Sequence, residues 1–144
     1  MEAGVRLARE ALDRYVDAML AEFHLPATAY ALAGFSQGAM VALFAGLRRA
    51  SAPRAILAYS GMLLGPDKLA DEMANHAPVL LVHGEQDEVV PVNMSRMGAK
   101  VLERLGVPTR LVLRPDLGHS IDTTGVAEGV AALTTAFASP VPAA

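Results

Sequence analysis

The stretch Gly34-Phe35-Ser36-Gln37-Gly38, continuing Ala39-Met40-Val41-Ala42-Leu43-Phe44-Ala45-Gly46-Leu47, sets one serine between two glycines. It lies where an apolar run, Ala29 to Ala33, gives way to a segment with the length and composition of a buried helix, Ala39 to Leu47. A G-x-S-x-G step of this kind is a strand-to-helix turn. The serine backbone is strained there, and glycine is expected on either side because a Cβ would collide with the neighbouring strand or helix. The turn lifts Ser36 Oγ out of the sheet. It also aims the following helix N-terminus at the same point, so that the Gln37 N–H faces any oxyanion that develops.

Working outward, Val5, Ala8, Leu12, Tyr15/Val16, Met19 and Phe23 recur at three- and four-residue steps, which predicts a helix with one buried face that ends by Pro26. Ala55 to Tyr59 reads as a second strand, followed by a loop from Ser60 to Pro66 and a weak helix from about Lys68 to Ala74. Val79 to His83 is almost purely aliphatic, as in a parallel strand covered on both faces. Met94, Met97, Val101 and Leu105 space as the buried face of the next helix, with Gly106 as its stop. Thr109 to Arg114 is the fourth strand, and the last helix runs from about Thr124 to Ala138. The expected organisation is one α/β domain over residues 1–138, with no internal repeat or linker and a disordered tail at 139–144. Four strands alternating with helices imply a parallel sheet with helices on both faces.

Ligands of such sheets bind beyond the carboxyl ends of the strands. Three of those ends carry reactive groups: Ser36 after the first strand, His83-Gly84-Glu85-Gln86-Asp87 after the third and Leu117-Gly118-His119 after the fourth. Serine is a poor nucleophile without a base to take its proton and an acid to orient that base. His119 fits the base and Asp87 the acid. Glu85, Glu88, Asp116 and Asp122 compete for the second role as solvated loop charges, and the place of Asp87 before Val89-Val90-Pro91 favours it.

The rest of the chain narrows the chemistry. Among its 144 residues there is no cysteine, which removes disulfides, a thiol nucleophile and cysteine metal sites. The formal net charge is −3 and no basic cluster extends beyond Arg48-Arg49, so nucleic acid is not an expected partner. Although 53% of the residues are hydrophobic, no run approaches the roughly 20 needed to cross a bilayer. Met1 opens directly into a charged amphipathic pattern rather than a leader, and the expected location is the cytoplasm. His24 and His76 lie near prolines in loops and read as structural or exposed. His83, Glu85 and Asp87 alternate as metal ligands can, but three neighbours in one loop are weak grounds and no metal is expected. Met40, Met62 and Met73 are typical packing residues. Of the loop Ser60 to Leu64, Met62 and Leu64, together with Val89 and Val90, are candidates to line an apolar cleft for an acyl group.

The ordered set Gly34-Phe35-Ser36-Gln37-Gly38, His83-Gly84-Glu85-Gln86-Asp87-Glu88-Val89-Val90-Pro91 and Gly118-His119-Ser120-Ile121 resembles the phospholipase/carboxylesterase family of α/β-hydrolases, which includes the acyl-protein thioesterases. The resemblance covers essentially the whole chain. It implies a Ser-Asp-His triad of Ser36, Asp87 and His119 that hydrolyses carboxylic esters or thioesters without a metal or organic cofactor. It further implies that this chain corresponds to the C-terminal part of the fold. Family members begin with further strands and a His-Gly loop that donates a second oxyanion N–H, whereas this sequence starts at the helix before the nucleophile strand. His83-Gly84 follows the third strand and belongs to the acid loop, so it does not replace that motif. One missing oxyanion donor costs about 10²–10³ in turnover. The strand at Ala29–Ala33 is then left as an apolar edge suited to pairing with another chain, including a second copy of this one. Two other readings stay open: a catalytically impaired fragment acting through that edge as an assembly module, and acyl transfer to an acceptor other than water.

Overall fold

The computed structural model describes residues 1–140. Of the tail expected at 139–144, residues 141–144 lie outside the described residues. Helix α1 (Glu2–Glu22) buries Val5, Val16 and Leu20, with Leu12 partly covered. Tyr15 and Phe23, expected on that face, are 63% and 64% exposed. Val16 and Leu20 fall one turn apart on the inward stripe, and the two aromatics are rotated past it.

Strands β1 (Leu32–Phe35), β2 (Ile56–Tyr59), β3 (Val79–Gly84) and β4 (Thr109–Arg114) form one parallel sheet in the order β1-β2-β3-β4. The first strand starts and ends later than its apolar run suggests. Gly34, which looks like a strand breaker, sits inside the ladder opposite Ala58. Helices α2 (Gln37–Gly46), α3 (Pro66–Glu72) and α4 (Asn93–Arg104) connect successive strands. Because the strands are laid down in one direction across the sheet, right-handed crossovers put all three connections on the same face. That face, joined by α1, holds the main core: Leu43, Leu47, Ile56, Leu69, Leu81 and Leu102 are all buried in it. Phe44 is also fully buried, and burying a leucine or phenylalanine of this kind contributes about 1.5–3 kcal/mol.

Helix α5 (Thr123–Ala138) follows the last strand and crosses to the other face, giving the expected helices on both sides. It covers a smaller core of Ala55, Leu57, Tyr59, Leu80 and Val82. Its start is fixed by Asp122, whose Oδ1 accepts from the Gly125 N–H at 2.7 Å. In α4 the buried positions are Ser95, Gly98, Ala99 and Leu102, while Met97 is 60% exposed. Of the face predicted for this helix, Leu105 packs against the main core while Met97 turns to solvent, and the buried side is carried by Ser95, Gly98, Ala99 and Leu102 instead.

Arg48 and Arg49 are both buried at the end of α2. Arg48 Nε pairs with Glu72 at 2.6 Å and the guanidinium stacks on Phe44, 3.7 Å from the ring centroid. Arg49 bonds Asp13, Asp17 and the Tyr30 hydroxyl. The two cations that sequence alone leaves free are neutralised inside the protein.

Candidate active site

Ser36 is the N-cap of α2 and has φ 55° and ψ −116°, a left-handed conformation that costs a non-glycine residue about 1–3 kcal/mol. The strain is held from both sides. The Ser36 N–H donates to Tyr59 O at 2.8 Å, and Ser36 O accepts from the Met40 N–H at 3.1 Å. A Cβ on Gly34 would lie 2.2 Å from the carbonyl carbon and oxygen of Gly38, so only glycine lets strand and helix meet here. The same reasoning fails at Gly38, where an added Cβ meets nothing within 4 Å. Gly38 is exposed on the outer side of the first helical turn, which is why the expected collision is absent.

His119 lies in the loop after β4, and Asp87 in the loop after β3. The structure brings both to Ser36. His119 Nε2 is 3.1 Å from Ser36 Oγ, and His119 Nδ1 is 2.7 Å from Asp87 Oδ2. With a carboxylate at Nδ1, the network assigns the ring hydrogen to that nitrogen and leaves Nε2 to accept from the serine hydroxyl. Asp87 Oδ1 accepts from the backbone N–H of Val89 and of Val90, each at 2.8 Å. The Asp87 side chain has no exposed surface. Burial pushes this carboxyl up, but the hydrogen bonds from His119, Val90 and Val89 together outweigh it and hold it below its ordinary value. His119 Nδ1 therefore faces an ionised carboxylate.

The competing acids are engaged elsewhere. Glu85 pairs with Arg96 at 3.0 Å, Asp116 accepts from Gln86 Nε2 at 3.2 Å, and Asp122 joins its cap to an ion pair with Arg114 at 2.8 Å. Glu88 is exposed. His83, Glu85 and Asp87 do not converge, since Glu85 turns out toward Arg96, and no group of three potential metal ligands comes together among the described residues. Met62 and Leu64 are half-buried, Val89 is 67% exposed and Val90 is buried. Leu64 does share a cavity of about 430 Å³ with Gln37, Met40 and Val41, closed on its other side by Val5 and Ala8 of α1. A second cavity, about 360 Å³, lies between α5 and the opposite ends of the strands, far from Ser36 in the sheet.

Three residues of the quoted motifs make contacts at the site that the motifs themselves do not reveal. Phe35 stacks on His119 with ring centroids 4.8 Å apart. Gly84 lets the base loop cross β3: a Cβ there would lie 2.2 Å from Leu117 O and 2.3 Å from Gly118 O. His83 is wholly buried and reaches Asp87 Oδ2 at 3.2 Å. Only Gly84 leaves a signal in the sequence, a glycine directly at a strand end.

The sequence model of the phospholipase/carboxylesterase family matches residues 1–135. Acyl-protein thioesterase 1 of Gibberella zeae is 36% identical over 94 residues, 62% of this chain and 40% of that protein. Acyl-protein thioesterase 1 of Schizosaccharomyces pombe is 34% identical over 104 residues, 70% of this chain and 46% of that protein. The chain thus spans less than half the length of these curated relatives. Among solved structures, esterase PE8 superposes with a TM-score of 0.89 at 40% identity, over 92% of this chain and 62% of the other. Arabidopsis thaliana SOBER1 superposes with a TM-score of 0.87 at 22% identity, over 95% of this chain and 66% of the other, which speaks to the fold alone.

Proposed function

This chain belongs to the phospholipase/carboxylesterase family, and from that premise we propose that it is a cytoplasmic serine hydrolase cleaving carboxylic esters or thioesters through an acyl-enzyme on Ser36. The observation that carries the reading is the unbroken hydrogen-bonded line from Ser36 Oγ through His119 to Asp87, built on a strained turn at a helix N-terminus. Ser36 Oγ attacks the acyl carbon while its proton passes to His119 Nε2, and Asp87 stabilises the imidazolium that results. The Gln37 N–H, in the first turn of α2, donates to the oxyanion. Collapse of the tetrahedral species releases the alcohol or thiol, which takes the proton from His119. Water then gives a proton to His119 and attacks the acyl-serine, the carboxylic acid departs, and Ser36 recovers its hydrogen. The acyl chain takes the apolar cavity beside Gln37, Met40, Val41 and Leu64; Met62, Val89 and Val90, expected in the same role, do not line it. An uncharged aliphatic acyl group suits such walls.

Assembly belongs to this reading through one observation. Among the described residues, strand β1 has a ladder partner on one side only, and its Ala33 and Phe35 are exposed on the face that α5 leaves open. A second copy pairing along that edge would satisfy its free backbone groups.

The test is turnover of p-nitrophenyl butyrate by the chain and by Ser36→Ala, with the oligomeric state followed by size-exclusion chromatography. The reading expects turnover that Ser36→Ala reduces at least about 10³-fold. Turnover that survives this substitution, or a folded chain with none, overturns it. The assembly reading expects elution as a dimer or larger, and a strictly monomeric chain overturns that element alone.

A further inference from the structure

His83 occupies the next-to-last position of β3 and has no exposed surface. A wholly buried imidazole needs a partner at each nitrogen. Nε2 lies 2.8 Å from Val90 O and 3.2 Å from Asp87 Oδ2. Both are acceptors, so the network assigns a hydrogen to Nε2. Nδ1 lies 2.6 Å from the hydroxyl of Ser95, itself buried on α4, and that hydroxyl is 3.4 Å from Gly61 O in the loop after β2. One ring therefore ties β3, α4 and the acid loop together.

We propose that His83 is a positioning residue for Asp87, with Ser95 holding the ring. Asp87 Oδ1 is fixed by the N–H groups of Val89 and Val90. Those bonds set where the carboxylate sits, but Oδ2, the oxygen that meets His119, needs its own restraint against rotation about χ2. The hydrogen on His83 Nε2 goes to the Val90 carbonyl at the far end of the turn, and the same nitrogen sits 3.2 Å from Oδ2, so the ring edge walls that oxygen against rotation. One ring thus holds the Val90 end of the acid loop by a hydrogen bond and abuts the Asp87 carboxylate at the other end. This assignment rests on the serine-hydrolase reading for its consequence in turnover, while the clamp itself stands on geometry.

The test uses two amides of near-equal polarity. In His83→Gln the side-chain nitrogen reaches the place of Nε2 and keeps the donor; in His83→Asn it stops near Nδ1 and loses it. Three quantities are read: kcat and KM for p-nitrophenyl butyrate, the low-field proton resonance of the hydrogen shared by His119 Nδ1 and Asp87, and the thermal midpoint. His83→Gln is expected to keep kcat within about threefold, whereas His83→Asn loses about 10–100-fold in kcat with KM held within about twofold, the usual size of an effect on a buried supporting partner. The low-field resonance persists in the first and is lost or shifted in the second, at similar thermal midpoints. Ser95→Ala, which frees the ring without touching the carboxylate, lowers kcat by a smaller factor and decides the matter where His83→Asn does not fold. A wild-type resonance and kcat in His83→Asn overturn the proposal. So does a parallel fall of both amide variants in step with their thermal midpoints. Should Ser36→Ala leave turnover intact, the hydrolase reading fails, and the resonance alone still judges the clamp.

Discussion

The two faces of the sheet are built unequally. On one, α1 to α4 press a continuous core that takes in Leu32 of β1, Ile56 and Ala58 of β2 and Val79 and Leu81 of β3; on the other, α5 alone covers β2 and β3 and leaves Ala33 and Phe35 of β1 exposed. The difference follows from handedness, since a sheet that grows in one direction sends every crossover to the same side. The candidate active site sits where the faces meet at the strand ends. Its serine is anchored by the thick face through α2, and its histidine leans on Phe35 from the thin one. The thick face should therefore govern whether the chain folds, and the thin face how well the site is held.

The largest expected effect separates the two glycines around Ser36. Gly34→Ala drives a methyl into the Gly38 backbone and is expected to cost at least about 4 kcal/mol, enough to leave the chain unfolded or insoluble. Gly38→Ala, with open space around it, should stay within about 1 kcal/mol of the original. Circular dichroism and the thermal midpoint read both, and equal damage from the two would undo the account of the turn.

Next come paired truncations of the two cores. Leu43→Ala, in the thick core, is expected to cost about 3–5 kcal/mol, and Leu133→Ala, partly buried on the inner side of α5, about 1–2. Urea unfolding measures the gap, and a larger loss at Leu133 would reverse the ranking of the faces. Phe35→Ala sharpens the comparison at the site itself. It removes an aromatic contact worth about 0.5–1.5 kcal/mol, so stability should change little while kcat falls several-fold. A loss of stability without any change in kcat would mean that the ring does not support His119.

The smallest effect depends on pH and marks the outer rim of the thick face. Hydrogen bonds from Arg6 and then Arg48 hold the Glu72 carboxyl down at about 2, below its ordinary 4.5. The unfolded chain therefore binds the proton more readily, and this contribution is complete above pH 4.5 and fades as the pH falls toward 2. Glu72→Gln should flatten the loss of stability between those values, as read from urea midpoints. An unchanged slope would assign acid lability to other carboxylates.

These expectations also mark what the sequence made legible. The alternation of strands and helices, the parallel sheet and the meeting of Ser36, Asp87 and His119 at one end could be read from motifs at strand ends, because local chemistry dictates each of them. Tertiary packing decided the rest. Gly34 looked like a stop but pairs within β1, since close approach of α2 calls for a residue without a Cβ at that point of the ladder. The buried face of α4 went to Ser95, Gly98, Ala99 and Leu102 rather than to Met97, with Gly98 leaving room for Leu63 of the loop after β2. His83 left no trace of its contact with Asp87. Its nitrogens are partnered by groups on α4 and in the acid loop, and a strand pattern records only that the position is inside.

The central claim, that Ser36 is a nucleophile activated by His119, is tested most directly by intact mass after treatment with an alkyl fluorophosphonate. The account predicts one adduct per chain, mapped to Ser36, absent in Ser36→Ala and strongly slowed in His119→Ala. A folded chain that takes up no label, or takes it equally well without Ser36, would contradict it.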